Sequence, residues 1–222
     1  DEHIYLGSNQ GLFYKPKDGL GKFQLISGTE GQVWSLNSIN GTLFCGHNSG
    51  TFVIEQNRAV KISSIPGAWD VQPIPGQAMK VLQGNYDGLY VLQYDEQVNQ
   101  WAMAHKINGF NYSAKDFEIT ENHQVVVSHE YKGVYLLNLD EPLNNVVDYA
   151  LIPELAKGLH SDLETFDGHI YYAAQQGVYS SATAPIAFSR DSTLSALFDS
   201  NQYSTGTMVA DDYDRLWFLT LS

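Results

Sequence analysis

The chain has 222 residues, of which 43% are hydrophobic, and its 12 basic and 25 acidic residues give a formal net charge of −13. This apolar fraction is too high for an intrinsically disordered chain, and no apolar run reaches the roughly 18 residues that a membrane-spanning helix needs. The acidic balance argues against direct binding to nucleic acid, and a single cysteine, Cys45, excludes an internal disulfide and a cysteine-based zinc site.

One segment recurs five times along the chain: a short strand, a polar turn, a glycine and a second strand. The copies are IYLGSNQGLFYK (4–15), LFCGHNSGTFVIE (43–55), VLQGNYDGLYVLQY (81–94), VVVSHEYKGVYLLNL (125–139) and IYYAAQQGVYSSA (170–182). Their anchor glycines are Gly11, Gly50, Gly88, Gly133 and Gly177. Because these glycines recur about every 40 residues in mostly strand-forming sequence, they predict β-propeller blades of four strands each.

Further strands flank each copy. An additional strand with a turn signal precedes the later copies, at 32–39, 68–74, 113–120 and 162–166, and one more lies at 207–211. A more variable strand follows the early copies, at 22–26, 59–63 and 101–107. We therefore expect antiparallel strands in the order A, B, C, D from inside to outside, with the anchor glycine in the B–C turn at positive φ.

The repeats begin and end within a blade. The chain opens on a B strand and closes on another B strand, in a sixth copy at Trp217. We expect residues 1–222 to form a single partial β-propeller domain of about five and a half blades from a larger ring of about seven. The alternative is a ring closed by five blades with a displaced terminal strand. Exposed strand edges would also let two copies pair as a homodimer.

Several segments resemble a known family. IYLGSNQGLFYK and LFCGHNSGTFVIE are similar to the two-component-regulator propeller repeat of Bacteroidetes sensor proteins. GAWDVQPIPG (67–76), LQGNYDGLYVL (82–92), HKINGFNYSAKDFEI (105–119) and SHEYKGVYLLNLDEPLNNV (128–146), in this order, resemble the sensor region of LuxR-type transcriptional regulators with a triple-tyrosine motif. The resemblance covers roughly residues 4–180.

This resemblance implies a periplasmic sensor domain of an inner-membrane protein that acts in signal transduction and transcription regulation. In the family, the propeller adjoins a tyrosine-rich β-sandwich, a membrane helix and a cytoplasmic helix-turn-helix, and these membrane-linked modules are the implied partners. The remaining motifs do not predict an enzyme. His129-Glu130 begins like a zinc-protease H-E-x-x-H, but no second histidine follows. We predict no catalytic residue, metal or cofactor.

A ligand-binding surface is the remaining prediction. In a propeller, the D–A and B–C connections emerge on one face, and loops carried on a rigid scaffold commonly bind ligands. The starts of inner strands place there Trp34, Trp69, Asp70, Tyr112, Lys115, His160 and Asp162. The B–C turns add His47, Asn48, Asn85, Tyr86, His129, Glu130, Tyr131, Gln175 and Gln176.

Aromatic rings stack on apolar sugar faces, and amides and carboxylates bind hydroxyls, so this set predicts a small ligand such as an oligosaccharide. In the alternative interpretation, Trp34 and Trp69 only fill the packing between blades and the turn residues are simply exposed to solvent. Two other functions stay open. A glycan hydrolase or lyase would need facing carboxylates, for which Asp70 and Asp162 are the candidates. A protein-docking scaffold would use the loop face and the acidic surface.

Overall fold

The computed structural model describes residues 2–155, 160–175, 177–197 and 203–221. The described residues form six antiparallel sheets, numbered 1 to 6 in chain order. The chain divides into two compact units, Asp1–Ser113 and Ala114–Ser222. No helix among the described residues is long and apolar enough to cross a membrane.

The first unit contains sheets 1 to 3. Sheet 1 consists of β1 (His3–Ser8), β2 (Gly11–Pro16) and β3 (Gln24–Leu25). Sheet 2 consists of β4 (Val33–Ile39), β5 (Thr42–His47), β6 (Gly50–Glu55) and β7 (Arg58–Ser63). Sheet 3 consists of β8 (Asp70–Pro73), β9 (Lys80–Asn85), β10 (Gly88–Asp95) and β11 (Gln100–Lys106).

The second unit contains sheets 4 to 6. Sheet 4 consists of β12 (Asp116–Ile119), β13 (Gln124–His129), β14 (Gly133–Leu139) and β15 (Val146–Leu151). Sheet 5 consists of β16 (Asp162–Phe166), β17 (His169–Ala174), β18 (Gly177–Ala182) and β19 (Ser189–Arg190), and the short helix α1 (Ser192–Ser195) follows it. Sheet 6 consists of β20 (Tyr203–Asp211) and β21 (Arg215–Leu221).

Strands that follow each other in the chain are neighbours in every sheet, as expected for propeller blades. Sheet 1 has strands B, C and D, sheets 2 to 5 have all four, and sheet 6 has A and B. The predicted all-β fold of the β-propeller class is therefore confirmed. The single-domain assignment and the number of blades in a complete ring stay predictions.

The apolar core lies between successive sheets of each unit. In β6, Phe52 belongs to the cluster that also holds Leu12 of sheet 1, whereas Val53 belongs to the cluster that also holds Val81 and Leu92 of sheet 3. Because sheet 2 is covered on both faces, its strands need large residues at successive positions. This packing explains why the strands lack the alternation of apolar and polar residues found in a half-exposed sheet.

The anchor glycines occupy the predicted special backbone position. Each one begins a C strand with φ between 120° and 139°. A Cβ on Gly50 would lie 2.1 Å from the Ser63 carbonyl oxygen, and one on Gly88 would lie 2.5 Å from the Phe110 carbonyl oxygen. Ser63 ends the D strand of its sheet and Phe110 follows the D strand of its own. The missing side chain therefore lets the chain that leaves the D strand pass directly against the start of the C strand.

In sheets 1 and 5, a serine or threonine hydroxyl accepts a hydrogen bond from the residue that follows the anchor glycine. Leu12 donates its N–H to Thr29 Oγ1 over 3.0 Å, and Val178 donates its N–H to Ser195 Oγ over 3.0 Å. The partners are 17 residues apart in both pairs. These two hydroxyls were not predicted from the sequence, although both lie at the same distance from their anchor glycine.

We predict that Gly50→Ala will destabilise the protein far more than Gly41→Ala. A Cβ at Gly50 meets backbone, whereas one at Gly41 meets nothing within 4 Å, and both glycines have positive φ. The expected loss of unfolding free energy is above about 3 kcal/mol for Gly50→Ala and about 1 kcal/mol for Gly41→Ala. Urea unfolding followed by circular dichroism measures both. Equal losses would contradict the close-approach explanation.

Candidate functional site

Three aromatic rings form a row in the first unit, which we call the aromatic ladder: Trp34, Trp69 and Tyr86. The ring centroids of Trp34 and Trp69 are 4.5 Å apart, and those of Trp69 and Tyr86 are 5.2 Å apart. Trp69 donates its Nε1–H to Ser113 Oγ over 3.2 Å. Trp34 and Trp69 are half-buried, and Tyr86 is 45% exposed. The ladder thus fills space between sheets 2 and 3 and still presents aromatic surface to solvent.

A β-bulge sets the position of Trp34. In the β4–β5 pairing, Val33 lies opposite His47 and Ser35 lies opposite Gly46, so Trp34 has no partner in the register. Bulges of this kind redirect a side chain and recur next to functional sites. Trp34 Nε1 and Ser35 Oγ are both buried without a hydrogen-bond partner.

His47 and Asn48 add two further unpaired atoms at the same end of sheet 2. His47 is 1% exposed, and its Nδ1 accepts the Ser49 N–H over 3.0 Å, so the neutral ring carries its proton on Nε2. Burial lowers the pKa of His47 more than the nearby Thr29 carbonyl, which lies outside hydrogen-bond geometry, raises it, so the ring is neutral at neutral pH. A Cβ on Gly31 would lie 3.2 Å from His47 Nε2 and 3.0 Å from Asn48 Oδ1, so the backbone of Gly31 adjoins both atoms.

Four buried side-chain atoms lie at the end of sheet 2 where Val33 pairs with His47 and Ser35 with Gly46, and we call them the open polar cluster. Trp34 Nε1, Ser35 Oγ, His47 Nε2 and Asn48 Oδ1 are the buried side-chain nitrogen and oxygen atoms without a hydrogen-bond partner in the described part of the chain. Leaving such an atom unpaired costs about 1–3 kcal/mol. The cluster offers two N–H donors, one carbonyl acceptor and one hydroxyl, and none of these groups is charged at neutral pH. Its chemistry fits water or a neutral polar ligand.

A relay of buried hydrogen bonds links sheet 2, sheet 3 and the connection between them. Thr51 donates its hydroxyl to Gln83 Oε1 over 2.6 Å, and Gln83 donates from Nε2 to Asn85 Oδ1 over 2.7 Å. Asn85 in turn donates from Nδ2 to the Pro66 carbonyl over 3.1 Å. Thr51, Gln83 and Asn85 are fully buried. The relay therefore fixes the connection that enters sheet 3.

The same connection contacts both the ladder and the backbone of His47 and Asn48. A Cβ on Gly67 would lie 2.3 Å from the Tyr86 ring, so the backbone of Gly67 rests against that ring. Gly67 donates its N–H to the Asn48 carbonyl over 3.1 Å, and Ala68 donates to the His47 carbonyl over 3.2 Å. The B–C turn of sheet 2 and the D–A connection into sheet 3 thus meet at one end of these sheets, as predicted.

Two other candidates of the first unit are held away from this cluster. The Asp70 carboxylate accepts from Asn37 Nδ2 over 2.7 Å and from Gln72 Nε2 over 3.1 Å. Burial raises the pKa of Asp70. The ring of Tyr112 packs edge-on against Phe110, with the centroids 5.4 Å apart.

In the second unit, the candidates of the B–C turn in sheet 4 lie close together. His129 Nδ1 accepts the Tyr131 N–H over 3.2 Å, and the two ring centroids are 6.4 Å apart. Burial and the Lys132 charge lower the pKa of His129. Tyr131 is 65% exposed and Glu130 is half-buried. In sheet 5, Gln175 is exposed, whereas Gln176 lies outside the described residues.

The inner-strand candidates of the second unit differ in their surroundings. Lys115 pairs with Asp116 at 3.6 Å, and His160 is exposed. Asp162 accepts the Met208 N–H on Oδ2 over 2.7 Å and the Leu163 N–H on Oδ1 over 3.0 Å. Burial, partly offset by these two N–H groups, raises the pKa of Asp162 to about 7. This carboxyl group therefore joins β16 to β20.

Three aspartates occupy equivalent positions in sheets 3, 4 and 5, and only two of them were predicted from the sequence as site residues. Asp70 pairs with Gly84, Asp116 with Ser128 and Asp162 with Ala173, so each aspartate opens an A strand at the same place in its sheet. Asp70 and Asp162 were predicted from the sequence as site residues, whereas Asp116 was not. The equal spacing of the three residues is the signal that could have found it.

We predict that Gln83→Leu will lower the free energy of unfolding by about 2–4 kcal/mol, because it leaves the Thr51 hydroxyl and the Asn85 amide unpaired in the interior. Gln93→Leu is the matched control, since Gln93 is exposed on the neighbouring strand β10. Its effect should stay within about 0.5 kcal/mol. Urea unfolding followed by tryptophan fluorescence compares them, and similar effects would argue against a structural relay.

We also predict a pH dependence that Asp162→Asn removes. The pKa of Asp162 rises from 3.8 to about 7 on folding, so the folded state binds more protons than the unfolded state between these values. The stabilisation is therefore complete below the lower pKa and is lost as the pH rises towards 7. Thermal unfolding from pH 4 to 8 should show a flatter profile for Asp162→Asn. Asp167→Asn, in an exposed turn, should keep the wild-type slope, and parallel profiles for all three proteins would refute the prediction.

Comparison with solved structures places this fold among known proteins. No protein-family model matches the chain, and no curated protein matches it. The extracellular domain of BT4673 from B. thetaiotaomicron, named as a candidate one component system, matches 98% of this chain with a TM-score of 0.65 and 17% identity. A second structure of that domain, named as a candidate hybrid two component system, gives 0.63 and 16% over the same share.

A third match is PorZ, a surface component of the type-IX secretion system of Porphyromonas gingivalis, over 85% of this chain with a TM-score of 0.61 and 12% identity. The chain covers 29% of each BT4673 structure and 26% of PorZ, so it spans less than a third of their lengths. These similarities establish that the chain shares its fold with part of each of these larger proteins.

Proposed function

We propose that this chain is part of an extracytoplasmic, ligand-sensing β-propeller of a bacterial signal-transduction regulator. The shared fold with the BT4673 extracellular domain over 98% of the chain carries this proposal. The resemblance of segments 67–76, 82–92, 105–119 and 128–146 to LuxR-type regulators points to the same role and to control of transcription. A tyrosine-rich β-sandwich and membrane-linked modules would then adjoin this domain.

The ligand in this proposal is a neutral, polyhydroxylated molecule such as an oligosaccharide. A sugar hydroxyl both donates and accepts a hydrogen bond, which suits the mixture of donors and acceptors in the open polar cluster. Trp69 and Tyr86 offer aromatic faces next to the cluster, on which the apolar face of a sugar ring can stack. No charged ligand is needed, because His47 is neutral and the Asp70 carboxylate already accepts two hydrogen bonds.

The same contacts indicate how ligand binding would change the protein, and they argue against a catalytic role. Asn48 lies in the B–C turn of sheet 2, and Gly67 lies in the connection that enters sheet 3. The two residues share a backbone hydrogen bond, so a ligand at the cluster would tighten the contact between the turn and this connection. A ligand shifts a conformational equilibrium only by its difference in affinity for the two states. The hydrogen bonds on Asp70 favour a structural role over catalysis.

The experiment is a screen of neutral oligosaccharides by thermal shift and tryptophan fluorescence, followed by Trp34→Phe. This variant keeps an aromatic ring and loses the Nε1–H donor, so we expect about tenfold weaker binding of any sugar that the wild type binds. Trp217→Phe, in sheet 6, is the control and should bind as the wild type does. Release of reducing ends would instead favour a glycan hydrolase, and a screen without binding would refute the sugar ligand.

A further inference from the structure

A second site lies in the first unit, at the end of sheet 2 opposite the open polar cluster. It is a cleft of about 740 Å³ between β1 of sheet 1 and the turns of sheet 2. The A–B turn at Gly41 and the C–D turn at 56–57 border it. This volume is within the usual range for pockets that bind small ligands. The inference from this cleft goes beyond the proposed function, because none of the residues of the aromatic ladder or of the polar cluster lines it.

Hydrogen bonds between the two sheets hold the cleft in shape. Tyr5 donates its hydroxyl to Asn57 Oδ1 over 2.7 Å, which orients the Asn57 amide so that Nδ2 donates to His3 Nε2 over 3.3 Å. The His3 ring also packs edge-on against Tyr14, with the centroids 5.6 Å apart. The walls are thus fixed without a ligand, and binding would require little rearrangement.

A two-residue hairpin turn forms one border of the cleft. Gln56 and Asn57 join β6 to β7 with φ angles of 49° and 61°, the geometry of a type I′ turn. The A–B turn at Asn40 and Gly41 has positive φ at both residues as well. Two tight turns therefore define the rim of the cleft.

The lining combines an apolar floor with opposite charges. Leu43, Ile54 and Val60 supply the apolar surface, and Ile54 is buried. Glu55 and Arg58 also line the cleft and lie directly opposite each other in the β6–β7 pairing. Both are exposed, and neither takes part in an ion pair within the described residues. The cleft therefore presents one exposed carboxylate and one exposed guanidinium, on facing strands.

We propose that this cleft binds a small zwitterion of dipeptide size with apolar side chains. Arg58 would bind the carboxylate, for which the planar guanidinium offers two parallel N–H donors. Glu55 would bind the ammonium group, and the apolar side chains would lie on Leu43, Ile54 and Val60. Glu55 and Arg58 lie opposite each other with Cβ atoms about 5 Å apart, and their long side chains can reach the two ends of a dipeptide.

The test is calorimetric titration of the chain with L-leucyl-L-leucine. We expect a dissociation constant of about 1 mM or below for the wild type, and at least tenfold weaker binding for Arg58→Gln and for Glu55→Gln. Lys22→Ala removes an exposed cation that precedes β3 and lies outside the cleft; this matched control should bind as the wild type does. Circular dichroism spectra identical to that of the wild type establish that the two cleft variants fold.

Three altered probes separate the parts of the proposal. N-acetyl-leucyl-leucine lacks the ammonium group, leucyl-leucinamide lacks the carboxylate, and glycylglycine lacks the apolar side chains. Each should bind at least tenfold more weakly than leucyl-leucine. The proposal is overturned if leucyl-leucine does not bind, if the acetylated or amidated probe binds as tightly, or if the two cleft variants bind like the wild type. Trp34→Phe should leave this titration unchanged, so the result is independent of the sugar proposal.

Discussion

In sheets 1 to 3, the structure depends on the close passage of the chain that leaves the D strand against the first residue of the C strand. At Gly50 and Gly88 this passage places a carbonyl oxygen where a Cβ would otherwise lie, so only glycine fits. The carbonyl of the next residue can then accept a hydrogen bond from the departing chain, as Leu89 does from Ile107 over 2.9 Å. The outer strand is thereby tied to the sheet, and the connection to the next sheet starts from a fixed point.

The candidate site is built on this fixed point. From Ser63, whose carbonyl lies against Gly50, the chain needs only three residues to reach Pro66, which accepts from Asn85. Gly67 follows, with its backbone against the Tyr86 ring. The close packing at Gly50 of sheet 2 therefore helps to determine where the chain meets the Tyr86 ring of sheet 3. The repeat period and the geometry of the site have the same physical origin.

Sequence alone predicts the parts of the molecule that short-range rules control. Positive φ at the anchor glycines, the hairpin turns and the order of strands follow from turn chemistry and from the repeat. The grouping of Trp34, His47, Trp69 and Tyr86 in one place follows from the rule that B–C turns and D–A connections meet. Contacts within the site that involve residues far apart in sequence do not follow. In the sequence, Gln83 is one polar residue in an apolar strand. Only the fold shows that its side chain joins Thr51 to Asn85 by hydrogen bonds.

The bulge at Trp34 is a second feature that the sequence does not predict, and the atoms beside it have an energetic cost. Pairing rules favour a regular β4–β5 ladder, and nothing local in the sequence around Val33 and Ser35 signals the extra residue. The fold nevertheless keeps it, together with buried polar atoms that cost about 1–3 kcal/mol each while they stay unpaired. Sheet 2 can keep such a cost at one end because both of its faces are packed against other sheets. A ligand that pairs these atoms, as we propose, would recover part of that free energy on binding.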